Sequence, residues 1–306
     1  MNFLIVGEPL ICFNPTENGA LRFVSQFKKT IGGAELNVAI GLSRLEMDVT
    51  YISAVGNDAL GDEIIHFIKS EGIDSKHVLR SNEHTTSLYI KEIMNESNIN
   101  SYFYRKPSAT EILNEKHFEE FKPSLFFMTG IFPALSCYHL DLTRNLMKSM
   151  KEKNVTIAFD VNVRRKLWSV EEMQSAFKML FPYIDILFIG DDEAELLFGI
   201  ANFEELVDFL TVFNISEIVM KQGKDGAIVK ASNQIFSAKP KPLKTIDTVG
   251  AGDAFAAGYL YQWAQNSSIE NRVHWGNKLA GYVISTLGDN EGLPTLIQLN
   301  RNTINR

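Results

Sequence analysis

A chain of 306 residues with 45% apolar and 22% charged side chains has the composition of one large α/β domain or two small ones, and it argues against disordered and fibrous classes. A formal net charge of -7 without a compensating run of Lys and Arg argues against nucleic acid and anionic membranes as partners. Local anion sites stay open, because charges beyond the Debye length of roughly 8 Å are largely screened. Two cysteines, Cys12 and Cys137, supply neither a disulfide framework nor a cysteine metal cluster, which fits a reducing cytoplasm. The N-terminus does not signal secretion. The most apolar run, Leu125 to Leu135, contains Gly130 and Pro133 and is far shorter than the ~20 residues of a spanning helix.

In chain order, Phe3-Leu4-Ile5-Val6, closed by Gly7, predicts a buried strand. After the turn Gly32-Gly33, apolar positions Leu36, Val38, Ala39, Ile40, Leu42 and Leu45 predict a helix over Ala34 to Leu45. Val49 to Val55 reads as a strand and Ile64 to Ser70 as a helix. Leu125 to Thr129 (strand), Leu140 to Glu152 (helix), Thr156 to Asp160 (strand), Ile184 to Ile189 (strand), Phe203 to Phe213 (helix) and Glu217 to Lys221 (strand) continue the rhythm. Such alternation predicts an α/β fold with a parallel sheet and helices on both faces. Residues 10 to 30 and 84 to 106 break it with alternating patterns, Ser87 to Ile93 and Tyr102 to Arg105, that suit antiparallel strands with one exposed face. They predict a small β lid inserted into one domain spanning residues 1 to 306.

The chemistry concentrates in Asp247-Thr248-Val249-Gly250-Ala251-Gly252-Asp253-Ala254-Phe255. Glycines flanking Ala251 let the backbone approach a ligand and aim successive N–H groups at it. A helix beginning at about Asp253 would add free amide donors and a positive dipole end, forming an anion hole from Gly250, Ala251 and Gly252. Asp253 stands where phosphoryl transfer wants a carboxylate to take the proton of the attacking hydroxyl. On these residues alone it could equally cap the helix. The chain has neither a Gly-x-x-x-x-Gly-Lys-Ser/Thr loop nor a Gly-x-Gly-x-x-Gly turn after the first strand, which disfavours P-loop ATPases and Rossmann dehydrogenases.

The segment Asp247 to Asp253 resembles the C-terminal signature of the ribokinase-like (PfkB) carbohydrate kinases, and Gly32 to Ala39 resembles their N-terminal one. Val55 to Asp62 and Lys221-Gln222-Gly223-Lys224-Asp225-Gly226 extend the likeness over nearly the whole chain. The resemblance implies a three-layer α/β/α domain with a mainly parallel sheet and a β lid, ATP as donor and Mg2+; a monovalent cation is left open. It implies Asp253 as catalytic base and Gly250 to Gly252 as the anion hole. Asn162, Val163, Arg164, Gly190, Lys221 to Gly226 and Gly250 to Asp253 would line the nucleotide. Glu193 would organise magnesium through water, and Asp247 would shape the phosphate site and stand near the metal. The Asn often found three residues before Glu193 is Gly190 here. On its own, Glu193 within Asp191-Asp192-Glu193-Ala194-Glu195 reads as a solvated acidic helical turn.

Within the family, Gly7-Glu8-Pro9-Leu10, Tyr104-Arg105-Lys106, Thr129 to Ser136, Asp160-Val161-Asn162-Val163-Arg164 and Gly288 to Pro294 resemble 2-keto-3-deoxygluconate kinases. By that resemblance Gly33, Ala34, Glu35, Leu36, Asn37, Tyr89, Phe103, Tyr104, Arg105, Arg164, Asp253 and Asp289 surround a sugar acid; Arg164 could instead face nucleotide phosphates. Many neutral-sugar members carry an Asp at the position of Cys12, and an Asp there would repel a carboxylate. Arg105 and Arg164 offer planar forks suited to one. The bland readings are sheet-face aromatics for Tyr89 and Tyr102 to Tyr104 and an exposed edge pair for Arg105-Lys106. The six histidines show no zinc spacing and are assigned no role. The rival readings are a fructokinase or nucleoside kinase of the same fold, and a sugar-binding regulator without catalysis. Exposed lid edges suggest a homo-oligomer that pairs through the lid.

Overall fold

A computed structural model describes residues 1–95, 98–232, 234–241 and 243–304. Strand β1 (Asn2–Val6) opens the chain and is followed by β2 (Leu10–Pro15) and β3 (Phe27–Gly32). Next come α1 (Ala34–Arg44), β4 (Asp48–Gly56), α2 (Ala59–Ser70), β5 (Val78–Ser81), β6 (Leu88–Asn95) and β7 (Asn98–Tyr104). The middle of the chain forms β8 (Leu125–Thr129), α3 (Cys137–Glu152), β9 (Thr156–Asp160), α4 (Val170–Leu180), β10 (Ile186–Gly190) and α5 (Asp191–Phe198). It ends with α6 (Phe203–Leu210), β11 (Glu217–Lys221), β12 (Ala227–Ala231), β13 (Gln234–Ala238), α7 (Ala251–Ala264), α8 (Ile269–Ile284) and α9 (Leu296–Ile304).

The large sheet has nine strands in the order β13-β12-β11-β10-β9-β8-β1-β4-β5. Strands β11 through β5 along that order pair in parallel, and β12 and β13 close one edge antiparallel. Side chains on one face, such as Phe3, Ile5, Phe127 and Phe188, pack with α1, α2, α7 and α8. Their neighbours Leu4, Val6, Phe126, Phe159 and Leu187 pack with α3, α4, α5 and α6 on the other face. This alternation of buried faces makes three layers, α/β/α, and it explains why the inner strands are apolar throughout.

Several helices start earlier than their apolar periodicity indicates, because polar caps precede it. Asp58 accepts from Gly61 N at the start of α2, and Ser136 accepts from His139 N at the start of α3. The 203–213 helix gives way to a 3-10 turn at 211–213, and β10 begins at Ile186 rather than Ile184. The segments 10–30 and 84–106 contribute β2, β3, β6 and β7 to a separate sheet ordered β3-β2-β6-β7; residues 96 and 97 of the second segment lie outside the described residues. This sheet is mixed rather than antiparallel, since β2 pairs β6 in parallel. That pairing joins strands distant in sequence, which local alternation could not reveal.

The apolar face toward α3 and α4 is held by a cluster of rings. Phe177, wholly buried, stacks on Phe181 at 5.9 Å and meets Trp168 edge-on at 5.5 Å. Replacing Phe177 with Ala should lower unfolding free energy by about 3–5 kcal/mol. Chemical denaturation at constant m-value measures this, and an unchanged midpoint would contradict the packing described.

Candidate active site

Ligand groups in parallel-sheet proteins gather beyond the carboxyl ends of the strands. Here Asp160 ends β9 and Lys221 ends β11, and their side chains meet at 2.7 and 2.8 Å. Burial works against the charge of Lys221, but Asp160 and then Glu193 outweigh it and hold its pKa above the ordinary value. The chain leaves β9 through Asn162, whose φ of 42° is left-handed, a conformation Asn tolerates better than most residues. That turn brings Asn162 Nδ2 to 3.5 Å from Asp253 Oδ1.

Helix α7 begins at Ala251, two residues before the expected start, with Gly250 at its N-cap. Asp253 therefore lies within the first turn and is no cap. Its Oδ2 accepts from Asn37 Nδ2 at 2.8 Å, and Asn37 Oδ1 in turn accepts from Asn290 Nδ2 at 3.0 Å, which fixes how the Asn37 amide is turned. Asp253 is buried, and that burial pushes its pKa up to about 7 against the lowering effect of Asn37; Asp160 adds to the rise, and Arg164 and Lys221 oppose it. The amides of Gly252 and Asp253 belong to the end of α7 where the helix leaves donors free, whereas Ala251 N donates to the Thr248 carbonyl at 3.3 Å. Gly250 has φ 77°, and a Cβ there would fall 2.0 Å from the Asp289 carbonyl. Its glycine is thus demanded by the 288–290 loop, which it brings against the start of α7. A Cβ on Gly252 would lie 3.3 Å from Lys221 Nζ, so the cation stands beside that first turn.

The small sheet turns one face to these groups. Strand pairing aligns Cys12 with Thr30 and Tyr89, and Tyr89 with Phe103. The Tyr89 and Phe103 rings lie 5.1 Å apart, with Lys91 over the first at 5.8 Å and Arg105 and Lys166 over the second at 5.6 and 5.9 Å. A Cβ on Gly32 would meet both Asp289 Oδ2 at 2.5 Å and Cys12 Sγ at 3.2 Å, so this carboxyl and thiol share one space. Burial pushes the Asp289 carboxyl up to about 6, with Lys91 opposing, and pushes the Cys12 thiol up to about 12.

Residues 2–296 match the pfkB family carbohydrate kinase description. The chain belongs to the PfkB family of carbohydrate kinases. It is 36% identical over 94% of its length to 2-dehydro-3-deoxygluconokinase of Bacillus subtilis, covering 91% of that protein. It is 30% identical over 85% of its length to the protein of the same name from Haemophilus influenzae, covering 88% of it. The crystal structure of a PfkB protein from Polaromonas sp. JS666 superposes with a TM-score of 0.88 at 28% identity, over 98% of this chain and 99% of that one.

In this PfkB kinase, Asn37, Asn162, Lys221, Gly252 and Asp253 converge, while Tyr89, Phe103, Arg105 and Asp289 share the facing region. Arg105 is buried against Glu8 and is no exposed edge pair. Tyr104 is 60% exposed and alternates away from the face carrying Phe103. Leu36 packs in the apolar core and lends the site no side chain; Gly33, Ala34 and Glu35 begin α1 beside Glu8 and Thr129. Arg164 is exposed and bonds to the Val163 carbonyl at 2.9 Å. Glu193 is not a solvated turn: its carboxylate accepts from Val163 N and Gly190 N, both at 2.7 Å, and burial raises its pKa. Asp247 accepts from Val249 N and Gly288 N, so it braces the 288–290 loop and shares no hydrogen-bond partner with Glu193. Gln222 to Gly226 form the tight connection from β11 to β12, with Lys224 and Asp225 exposed; a Cβ on Gly226 would lie 2.0 Å from the Ala238 carbonyl. Glu8, Asp160 and Asn290 lie in strings that carry the subgroup resemblance, yet neither they nor Lys91 are given a site role from the sequence. Asp160 closes a predicted strand, a position that could have singled it out.

Asp253 ties stability to pH. Its carboxyl holds a proton in the folded state up to about pH 7 but in the unfolded chain only to the ordinary aspartate value of 3.8, so folding stability falls as pH rises between them. Asp253→Asn should therefore melt above the wild type at pH 8, with the gap closing near pH 4. Thermal melts across that range measure it; a gap independent of pH would remove the assignment.

Proposed function

We propose that this kinase transfers the γ-phosphoryl group of magnesium-bound ATP to the primary hydroxyl of 2-keto-3-deoxygluconate, giving the 6-phosphate and ADP. The observation that carries the chemistry is Asp253, a buried carboxylate within the first turn of α7, hydrogen-bonded by two neutral amides and close to Lys221. A base with a pKa near the working pH is suited to taking the hydroxyl proton. The bond from the γ-phosphorus to the β–γ bridging oxygen breaks as the bond to the sugar oxygen forms, and ADP leaves with the negative charge. The amides of Gly250, Ala251 and Gly252, with Lys221, offset charge on the transferring group. Glu193, whose two oxygens each accept one backbone N–H, would orient water around the magnesium that arrives with ATP. Gln222 to Gly226 flank the nucleotide, and Arg164 serves the sugar acid or the phosphates.

The sugar-acid assignment is supported by the curated relatives named above and by the small sheet, where Arg105 and Lys91 surround the Tyr89 and Phe103 rings and Cys12 brings no charge. In this reading the small sheet is the lid of a single domain and excludes water. Its edges β3 and β7, with Ile99, Tyr102 and Tyr104 exposed, suit pairing with the lid of a second copy. Free Cys12 and Cys137 agree with a reducing cytoplasm. One observation favours a neutral-sugar kinase instead: Asp289 lies beside Cys12 and could hold sugar hydroxyls as an Asp at position 12 would.

ADP formation measured with magnesium against 2-keto-3-deoxygluconate, fructose, ribose and a nucleoside separates these readings. Turnover confined to the sugar acid is expected; faster turnover of a neutral substrate overturns the carboxylate assignment, and binding without turnover identifies a regulator. Asp253→Asn should reduce kcat by about 10²- to 10⁴-fold, and near-normal turnover of that variant refutes the base.

A further inference from the structure

The chain passes between the two sheets at four places, residues 7–9, 32–33, 82–87 and 105–108, and Glu8 touches all four. It sits in the first. A Cβ on Gly33 would come within 2.8 Å of its carbonyl oxygen. Its Oε1 accepts from Ser87 Oγ at 2.7 Å and from Ser108 Oγ, and its Oε2 faces Arg105 Nη2 in an ion pair. Glu8 and Arg105 are both buried.

Behind Glu8 the polar chain continues inward. Ser108 Oγ meets Thr110 Oγ1 at 2.7 Å, Thr110 Oγ1 meets His139 Nε2 at 2.8 Å, and His139 Nδ1 meets Ser136 Oγ at 2.8 Å. Burial and then Arg105 depress the His139 pKa to about 4, so the chain ends in a neutral ring and brings no second cation. The other buried carboxylate nearby, Glu35, is held by Thr129 Oγ1 at 2.5 Å. The Arg105 guanidinium lies over Phe103, and its Nε and Glu8 Oε2, both buried, make no hydrogen bond among the described residues beyond the ion pair itself.

We propose that Glu8 is a positioning residue: it fixes one Nη of Arg105 and so holds the guanidinium over Phe103, where it would meet the acidic end of the sugar. The inference rests on the sugar-acid reading above. Substrate oxygen would complete a guanidinium that Glu8 neutralises and orients but does not saturate. Glu8 itself touches no substrate and acts only through Arg105.

The test is a kinetic cycle on the full chain with 2-keto-3-deoxygluconate and Mg-ATP. Glu8→Gln keeps the size and an oxygen for the serine hydroxyls but removes the charge. It should raise KM for the sugar acid roughly tenfold, the scale of losing a group that orients a ligand-binding side chain, while kcat falls much less and KM for ATP holds. In an Arg105→Gln background the same change should add nearly nothing, because the two act as one unit. Ser108→Ala, which removes one of the hydroxyls that hold Glu8, should raise KM in the same direction by a smaller factor, and it carries the test if Glu8→Gln does not fold. A folded Glu8→Gln or Ser108→Ala with unchanged KM overturns the proposal alone. So does a full Glu8→Gln effect without Arg105. A wild type that ignores the sugar acid overturns this proposal together with the substrate assignment.

Discussion

Two sheets that share no strand are held to one another at a buried carboxylate. Glu8 draws together the four places where the chain crosses between them, through its own carbonyl against Gly33, the hydroxyls of Ser87 and Ser108, and the guanidinium of Arg105. A buried charge is tolerated only when paired and hydrogen-bonded, so removing either partner exposes the full desolvation cost of the other. The demand that this charge be satisfied thus constrains how the small sheet sits, together with Asn290 Nδ2 on the Ile31 carbonyl and Lys166 Nζ on the Ser101 carbonyl.

Across the gap, acids in similar places have different surroundings. Asp160 takes both its bonds from Lys221, whereas Asp253 takes its bonds from the neutral amides of Asn37 and Asn162. Pairs of titratable groups in contrasting environments are how one site separates a charge-holding role from a proton-accepting one. Asp160 neutralises the lysine next to the first turn of α7, and burial leaves the Asp253 pKa at about 7. Gly250 links this half of the site to the other, since only a glycine lets the Asp289 carbonyl approach so closely. The 288–290 loop and the first turn of α7 are thereby built into one packed unit.

The facing region sets cations against acids, with Glu8 paired to Arg105 and Asp289 opposed by Lys91. Arg105, Lys91 and Lys166 ring the Tyr89 and Phe103 pair, and Asp289 sits beneath them next to an uncharged thiol. Burial raises the Asp289 pKa to about 6, so its charge is the least firmly held in that group. An acid at position 12 would have added a second negative group within reach of Asp289. Cys12 avoids that repulsion while filling the same volume.

The sequence by itself determined the α/β class, most inner strands, the two glycine signatures and Asp253, because each of these is a local property: a short apolar run, a helix period, or residues adjacent in the chain. It could not decide whether Asp253 capped a helix or faced a cleft, since that depends on Asn37 and Asn162, far away in sequence. The parallel pairing of β2 with β6, the burial of Arg105, the separation of Tyr104 from Phe103, and the tethering of Glu193 by Val163 were likewise decided only in three dimensions. Glu8 shows the reason most plainly. Its partners Ser87, Arg105 and Ser108 lie some eighty to a hundred positions on, and nothing in a local pattern of residues records which distant hydroxyls and guanidinium a buried charge will find once the sheets have packed.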